Sequence, residues 1–505
     1  MSKVLDIIQD KTLTYHQQLL ALARLAENSD DTLKLNPEWV ESIKDKTVCD
    51  LNEGLAPYRP RYILPDYSLL LKKGCKFLEL DPPHDLLETV STLLIFYAHV
   101  PSVTSYPVYL GNFTEIFSPF DDIADKPETR EIMKLFLKHI DKTLCDSFVH
   151  ADIGPKSNKM TELILDLTEE MQLAVPNLTL LYNEEETPDS LALASIKCML
   201  KTSKPSFAND KVYSKEAKNG KYGIASCYNA LKIGGGGYTL PRLRLYEISK
   251  KAKSIDDFFK NVLPHYVSLI LENIDTRIKF IVEQSSFFES NFLVKEGFVS
   301  RENFTGMVGV VGLAECCDNL LGIKNKKDGY GNNKEAEDLA VRVLSSIEKQ
   351  VKEHQGLYCS NCNNQYVMHA QVGIDSDGTD DAPGCRIPIG CEPDLSDHLL
   401  VESRMHKFFP SGVGDIFKFD QTWNNSKEAV LDIIKGSLRS GMRYFTAYNA
   451  DNDVVRVTGY LVKKSEIEKL QKGEQSLNNC SAFGKGASEF GHALERKVYG
   501  NGSDK

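Results

Sequence analysis

The chain predicts an α/β protein, on three observations. From about residue 103 to the C-terminus, short β-rich runs alternate with amphipathic helical stretches. Glycine-rich segments follow several of the predicted strands, and α/β folds keep their sites in such loops. The length of 505 residues exceeds one small core but suits a closed barrel, which runs larger as a single unit. Strand–helix alternation of this extent means an α/β barrel or a wound sheet.

Residues 1–100 read as mostly helical. Leu5 with Ile8, and Leu19 with Leu22 and Ala23, set apolar stripes at helical spacing. Pro57, Pro60 and Pro65 break the pattern, and the Pro-Pro-His-Asp segment near 82 opens another helix. This region is expected to be a helical cap packed on a larger body. Residues 101–440 are expected to form that body. VTSYPVYLGN, residues 103–112, predicts a strand ending in a Gly-Asn turn. Pro176 to Tyr182 predicts a strand, and a helix with an acidic N-terminus follows Thr187-Pro188-Asp189. KYGIASCYN runs from a strand into a loop, residues 255–283 make a long helix, and MVGVVGLAE is a buried strand. A second long helix covers EAEDLAVRVLSSIEKQVKEH, and a further one residues 427–440. Residues 441–505 are expected to be a C-terminal unit. It contains the strand MRYFTAY, a polar turn at Asn449 to Asp453, the stretch VVRVTGYL, and a charged helix from Lys463 to Gln471.

Hydrophobic residues at 42% and charged residues at 26% are those of a soluble globular chain. The net charge of −11 argues against a nucleic-acid-binding surface as the main business. No apolar run reaches the length of about 18 residues that a membrane helix needs. The N-terminus has early acidic residues and no signal-peptide core, so a cytoplasmic location is expected. In that compartment twelve cysteines read as thiols, metal ligands or catalysts, not disulfides.

Two places in the chain invite chemistry. Gly459 sits between β-branched and aromatic neighbours. Such a glycine marks a bulge or a close backbone approach. It also has the one kind of Cα that, on losing a hydrogen, can flatten and delocalise a radical into both flanking amides without a Cβ clash. Cys227 follows a short apolar strand and precedes Gly234 to Gly237. Its loop can hold the sulfur away from the wall of a barrel, or the thiol can be ordinary core. The glycine run lacks the spacing and lysine of a phosphate-binding loop and reads as a flexible surface turn.

Together, VVRVTGYL and YGIASCYN resemble the glycyl radical enzymes. PNLTLLYNEEETPD resembles the strand and helix that precede the cysteine loop in that superfamily, and PSFANDK its short Asn-Asp segment. The resemblance implies a ten-stranded α/β barrel with Cys227 and Gly459 carried to its centre on two loops. It implies a glycyl radical stored on Gly459 and passed to Cys227 as a thiyl, which takes hydrogen from a small polar substrate under anaerobic conditions. It also implies oxygen sensitivity, a separate activating enzyme of the radical S-adenosylmethionine type, and a homodimer. Neither a nucleic acid nor a membrane is an expected partner.

Departures narrow the branch. Pyruvate formate-lyase has two adjacent cysteines here, but the first position is Ser226. The dehydratase, trimethylamine-lyase and decarboxylase branches place a glutamate base two residues after the cysteine, and that position is Asn229, neutral and open to a substrate-contact role. GYTLPRLRL, GVVGLAE, GMRYFTAYN and the Gly-Lys-Gly-x-x-Glu tail resemble anaerobic ribonucleotide reductases. The zinc ribbon and the ATP cone of those reductases have no counterpart, and the chain most resembles the YjjI-type group. A reductase acting on a ribose-containing substrate stays open as an alternative, with Cys316 or Cys317 supplying electrons or touching substrate. Arg386, Glu392 and His406 are further candidates for substrate polar groups. Cys359, Cys362, Cys385 and Cys391 are candidate zinc ligands, although the second pair is spaced by six, unlike a usual ribbon. A non-catalytic zinc scaffold built on them is the alternative from a different class.

Overall fold

Parallel strands covered by helices on both sides read as unbroken apolar runs, and Asn177–Tyr182 is such a strand, buried at all six positions. In the computed structural model it lies between His150–Ile153 and Ser206–Asn209, both parallel to it. Tyr444–Tyr448 then pairs antiparallel with Ser206–Asn209, and Asp415–Phe419 pairs parallel with Tyr444–Tyr448. With Val498–Tyr499 at the edge, these make a six-stranded sheet. A four-stranded sheet runs in the order Val48–Cys49, Arg242–Arg244, Met307–Val311, Val367–Ala370, with the last three parallel. The structure describes residues 3–27, 33–50, 53, 57–217, 221–370, 381–457, 459–478 and 497–499.

The helices between the strands form where the periodicity places them. Lys334–Glu353 starts at an Asn333 cap whose side chain accepts from Glu335 and Ala336 N–H, and it buries Ala336, Leu339, Ala340, Val343, Leu344, Ile347 and Val351 along one stripe. Lys427–Arg439 and Asp189–Thr202 also match their expected spans closely. The long helix expected over 255–283 is one helical course with π-type turns at Phe258–Val262 and Phe280–Gln284. The first π turn ends two residues before Pro264, which has no N–H to give to the usual carbonyl four residues back.

Three local expectations are corrected. Residues 103–112 form no strand. Ser105 and Gly111 take left-handed φ of 68° and 97°, and Pro107 between them has no N–H, so the segment bends through a buried loop. The run Gly234 to Gly237 is not a surface turn. Gly235–Gly237 is the middle strand of a buried three-stranded sheet, and a Cβ on Gly236 would stand 2.0 Å from the Tyr62 carbonyl oxygen. Finally, the first two helices, Lys3–Gln9 and Tyr15–Glu27, bury none of their residues, and Leu5, Ile8 and Leu19 stay exposed. The N-terminal helices that do pack are Pro37–Lys44, through Trp39, and Leu86–Tyr97, capped by Asp85.

Candidate functional site: a thiol against a glycine

The expected cysteine loop is the tip of a β-hairpin. Tyr222–Ala225 pairs antiparallel with Asn229–Lys232, and closure of the pair at Ala225 and Asn229 leaves Ser226, Cys227 and Tyr228 as the turn. Ser226 holds φ at 59°, a left-handed conformation that a serine adopts only when its surroundings fix it. They do so at two points. Ser226 N–H donates to the Val108 carbonyl at 2.9 Å, and His150 Nδ1 lies 2.7 Å from the Ser226 carbonyl.

The buried polar chain behind the loop has one consistent proton arrangement. Burial holds His150 down to about 3, so the ring is neutral and its one N–H goes to the Ser226 carbonyl. Nε2 is then an acceptor and takes the hydroxyl hydrogen of Thr179 at 2.8 Å. That leaves the Tyr444 hydroxyl, 2.8 Å from Thr179 Oγ1 and 3.2 Å from the Cys227 carbonyl, to donate. Two strands of the large sheet thus fix the backbone on either side of the thiol.

Gly459 meets that thiol. It lies on the turn of a second hairpin, Val454–Arg456 against Leu461–Lys463. A Cβ built on Gly459 would stand 2.0 Å from Cys227 Cβ and 2.7 Å from its Sγ. A side chain has no room there, so the position demands glycine for space. The glycine carbonyl accepts from Arg456 Nη1 at 3.1 Å and from Asn177 Nδ2 at 3.2 Å. Arg456 Nη2 donates to Asn177 Oδ1 and to the Ser203 carbonyl, and Ser203 Oγ donates to the Val454 carbonyl. The hairpin is therefore tied to the start of the strand Asn177–Tyr182 and to the C-cap of the helix Asp189–Thr202 by one fully buried guanidinium.

Cys227 is buried, and burial pushes its thiol up to about 11, against the opposing pull of Arg456, Arg386 and Arg61. At neutral pH it carries its S–H bond. This arrangement suits hydrogen-atom exchange between sulfur and an adjoining Cα and does not suit thiolate attack.

The other predicted residues divide. Asn229 and Arg386 belong to the thiol's surroundings. Asn229 Nδ2 donates across the hairpin to the Ala225 carbonyl, and the Arg386 guanidinium stands 5.8 Å from the Tyr228 ring centre. Glu392 instead accepts from Gly390 N–H in its own turn. Cys316 and Cys317 sit inside Leu313–Leu321, in the apolar core where that helix packs on Leu245–Ser249 and Lys334–Glu353. His406 joins a separate buried cluster. Its Nδ1 accepts from Arg443 N–H, its Nε2 lies 3.3 Å from Glu402, and burial keeps it down at about 3.

The four candidate zinc cysteines do not converge among the described residues. Cys359 and Cys362 share a turn near Asn303, Cys385 lies 3.7 Å from Glu402, and Cys391 is half-buried elsewhere. Among the described residues the group with metal-ligand spacing is His398, Glu402 and Asp415, and its own hydrogen bonds already use His398 at both nitrogens. The Gly-Lys-Gly-x-x-Glu tail and Thr458 lie outside the described residues.

Sequence reasoning gave no role to His150, Thr179, Tyr444, Asn177 or Arg456. Four of these stand inside the quoted motifs (Asn177 and Thr179 in PNLTLLY, Tyr444 in GMRYFTAY, Arg456 in RVTGYL), so membership of those motifs was the signal. His150 had none.

The fold is of the glycyl radical enzyme class. A glycyl radical enzyme from Archaeoglobus fulgidus superposes at a TM-score of 0.71 with 12% identity, over 91% of this chain and 83% of that one. An anaerobic ribonucleotide reductase does so at 0.69 with 14% identity, over 99% and 86%. The family model described as glycyl radical enzyme YjjI-like matches residues 13–499, and a Haemophilus influenzae protein is 44% identical over 99% of this chain and 97% of its own length. The chain belongs to the YjjI-like glycyl radical enzymes.

Proposed function

We propose that Gly459 stores an unpaired electron and that Cys227 is the residue through which it reaches substrate. The observation that carries this is the contact of the glycine Cα with the thiol side chain inside the protein. The exchange balances simply. The Gly459 Cα radical takes the hydrogen atom of the Cys227 S–H bond, becoming an ordinary glycine and leaving a thiyl. The thiyl takes a hydrogen atom from a substrate C–H bond, restoring S–H and leaving a carbon radical on the substrate. At the end of turnover the product radical takes the hydrogen back from Cys227 S–H, and the thiyl so formed takes the Gly459 Cα hydrogen, regenerating the glycyl radical. An activating enzyme of the radical S-adenosylmethionine type supplies the first hydrogen abstraction, and the 454–463 hairpin must leave the thiol to admit it.

The neutral Asn229 leaves no carboxylate base two residues past the thiol, and Ser226 leaves no second thiol beside it, so the reading favours neither glutamate-assisted elimination nor acyl transfer. The test is anaerobic activation followed by electron-spin resonance. The wild type should show a doublet that collapses in protein labelled with Cα-deuterated glycine. In D2O the unlabelled wild type should also lose its doublet, because the S–H hydrogen exchanges with solvent and returns to Gly459 as deuterium. Cys227→Ala should keep its doublet in D2O. A doublet that collapses in D2O equally in both proteins would remove Cys227 from the path.

A further inference from the structure

We propose that the residues around Tyr228, next to Cys227, are arranged to hold a small hydroxylated anion, with its charged group taken by Arg386 and its hydroxyls by His369 and Asn229. The inference rests on the reading of Cys227 as the reacting thiol. Its geometry centres on Tyr228, the residue next to that thiol. The His369 ring stacks on Tyr228 with centroids 5.6 Å apart, and the Arg386 guanidinium stands by the same ring. Tyr228 itself is spent, because its hydroxyl donates to the Ala370 carbonyl at 2.9 Å.

Three buried polar atoms around this ring and the thiol have no partner among the described residues: Arg386 Nη1, His369 Nε2 and Asn229 Oδ1. Their residues are 3%, 0% and 1% exposed. Buried polar groups are normally satisfied, so three open atoms on residues grouped about one ring point to a ligand site. The chemistry of each atom is fixed by what its neighbours do. Arg386 Nε donates to the Gly414 carbonyl at 2.6 Å and lies 3.6 Å from Asp415, which leaves Nη1 as an open cationic donor. Ser411 Oγ gives its hydrogen to the Met368 carbonyl and so cannot donate to His369 Nδ1, 3.4 Å away. The ring hydrogen is therefore on Nδ1 and Nε2 presents a bare lone pair. Burial holds this histidine down to about 3, so the lone pair persists at neutral pH. Asn229 Nδ2 is committed to Ala225, so its open oxygen is likewise only an acceptor.

One cationic donor and two acceptors define the ligand. A bare carboxylate or phosphate would satisfy Arg386 and leave both acceptors empty. A neutral polyol would satisfy the acceptors and bring no charge to Nη1, since the carboxylate beside the guanidinium, Asp415, stands at its Nε and is shared with His398. A hydroxy acid or a polyol phosphate satisfies all three. The wider field agrees, since the charged groups that most strongly act on the thiol are guanidiniums, those of Arg456, Arg386 and Arg61.

The test uses the full chain, purified without activation and kept anaerobic, and four probes followed by calorimetry: glycerate, glycerol 3-phosphate, propionate and glycerol. Glycerate or glycerol 3-phosphate should bind at least about tenfold more tightly than propionate and than glycerol, the scale of one hydrogen bond to a charged group. Whichever of the two wins separates a carboxylate from a phosphate. Arg386→Gln should erase the preference for the charged probe over glycerol, and Arg386→Lys should keep part of it. Asn229→Ala should weaken the hydroxylated anion and leave propionate unchanged. Glycerol binding as tightly as the charged probes, an unchanged preference in folded Arg386→Gln, or no binding of any of the four would overturn the proposal. Because no radical is needed, failure here is separate from failure of the spin signal.

Discussion

Gly459 is held to glycine by the side chain of Cys227, and this makes its substitution informative. In Gly459→Ala the new methyl would stand 2.0 Å from Cys227 Cβ, so either the cysteine loop or the hairpin must move. Overpacking of this kind costs about 1–3 kcal/mol, and thermal melting of the anaerobic protein should register it as a lower transition temperature. The same variant should show no spin doublet after activation. The polar chain behind the thiol allows a gentler change. Tyr444→Phe removes the hydroxyl shared between Thr179 and the Cys227 carbonyl, for a loss of about 1 kcal/mol in urea unfolding. Its doublet should still form, because nothing in that chain touches Gly459. A Tyr444→Phe protein that cannot be activated would show that the chain also sets the glycine's position.

At the scale of elements, one buried guanidinium makes the largest share of the polar ties on the C-terminal hairpin. Arg456 binds the Gly459 carbonyl, Asn177 and Ser203 at once, beside one bond each from the Asn177 and Ser203 side chains and the packing of Val455, Val457 and Tyr460. Arg456→Met keeps the apolar stem and removes the guanidinium's bonds. Deuterium uptake over residues 454–463 should then accelerate, while the strand Asn177–Tyr182 stays protected. The radical formed in this variant should decay faster in air than that of the wild type, since opening is what admits dioxygen. Equal decay would locate the shield elsewhere. These hairpins also mark where sequence was readable. A strand into a loop was legible at 222–229 and a glycine stretch at 454–461, from turn residues and β-branched runs. That the two tips meet was legible only through the resemblance, because a contact across more than two hundred residues leaves no local periodicity. The buried glycine strand at 235–237 was misread for a related reason. Glycine's freedom signals a turn locally, whereas here its value is that the backbone of Tyr62 on one side and of Asn303 on the other comes within 2.0–2.2 Å of where a Cβ would be.

For the whole molecule, the α/β class followed from alternation, and the buried parallel strands from their apolar runs. The second buried cluster could not be read, because His398, Glu402 and His406 are spaced like any amphipathic helix, and Cys385 and Asp415 join them only in space. Such buried titratable groups govern how the fold responds to acid. His150, His369 and His406 are each held by burial at about 3, against 6.5 when unfolded. Between those values the unfolded chain binds more protons, so stability rises with pH and is lost as pH falls through the window. Each histidine contributes a slope of up to about 1.4 kcal/mol per pH unit. Glu402 acts in the opposite sense, because burial, and then the charge of Asp415, lifts it from 4.5 to about 8. The folded state binds the extra proton there, so that contribution is fully present below 4.5 and fades as pH rises towards 8. Between 6.5 and 4.5 Glu402 therefore offsets the slope of about one histidine, and the offset fades as pH nears 4.5. Below 4.5 it drops out and the histidines act unopposed by it. Urea unfolding at a series of pH values should accordingly show stability falling below 6.5 and most steeply between 4.5 and 3. In His406→Gln the slope should be shallower by about 1.4 kcal/mol per pH unit across that lower window. An unchanged slope would mean that His406 is already protonated in the folded protein, with its proton shared toward Glu402, 3.3 Å away.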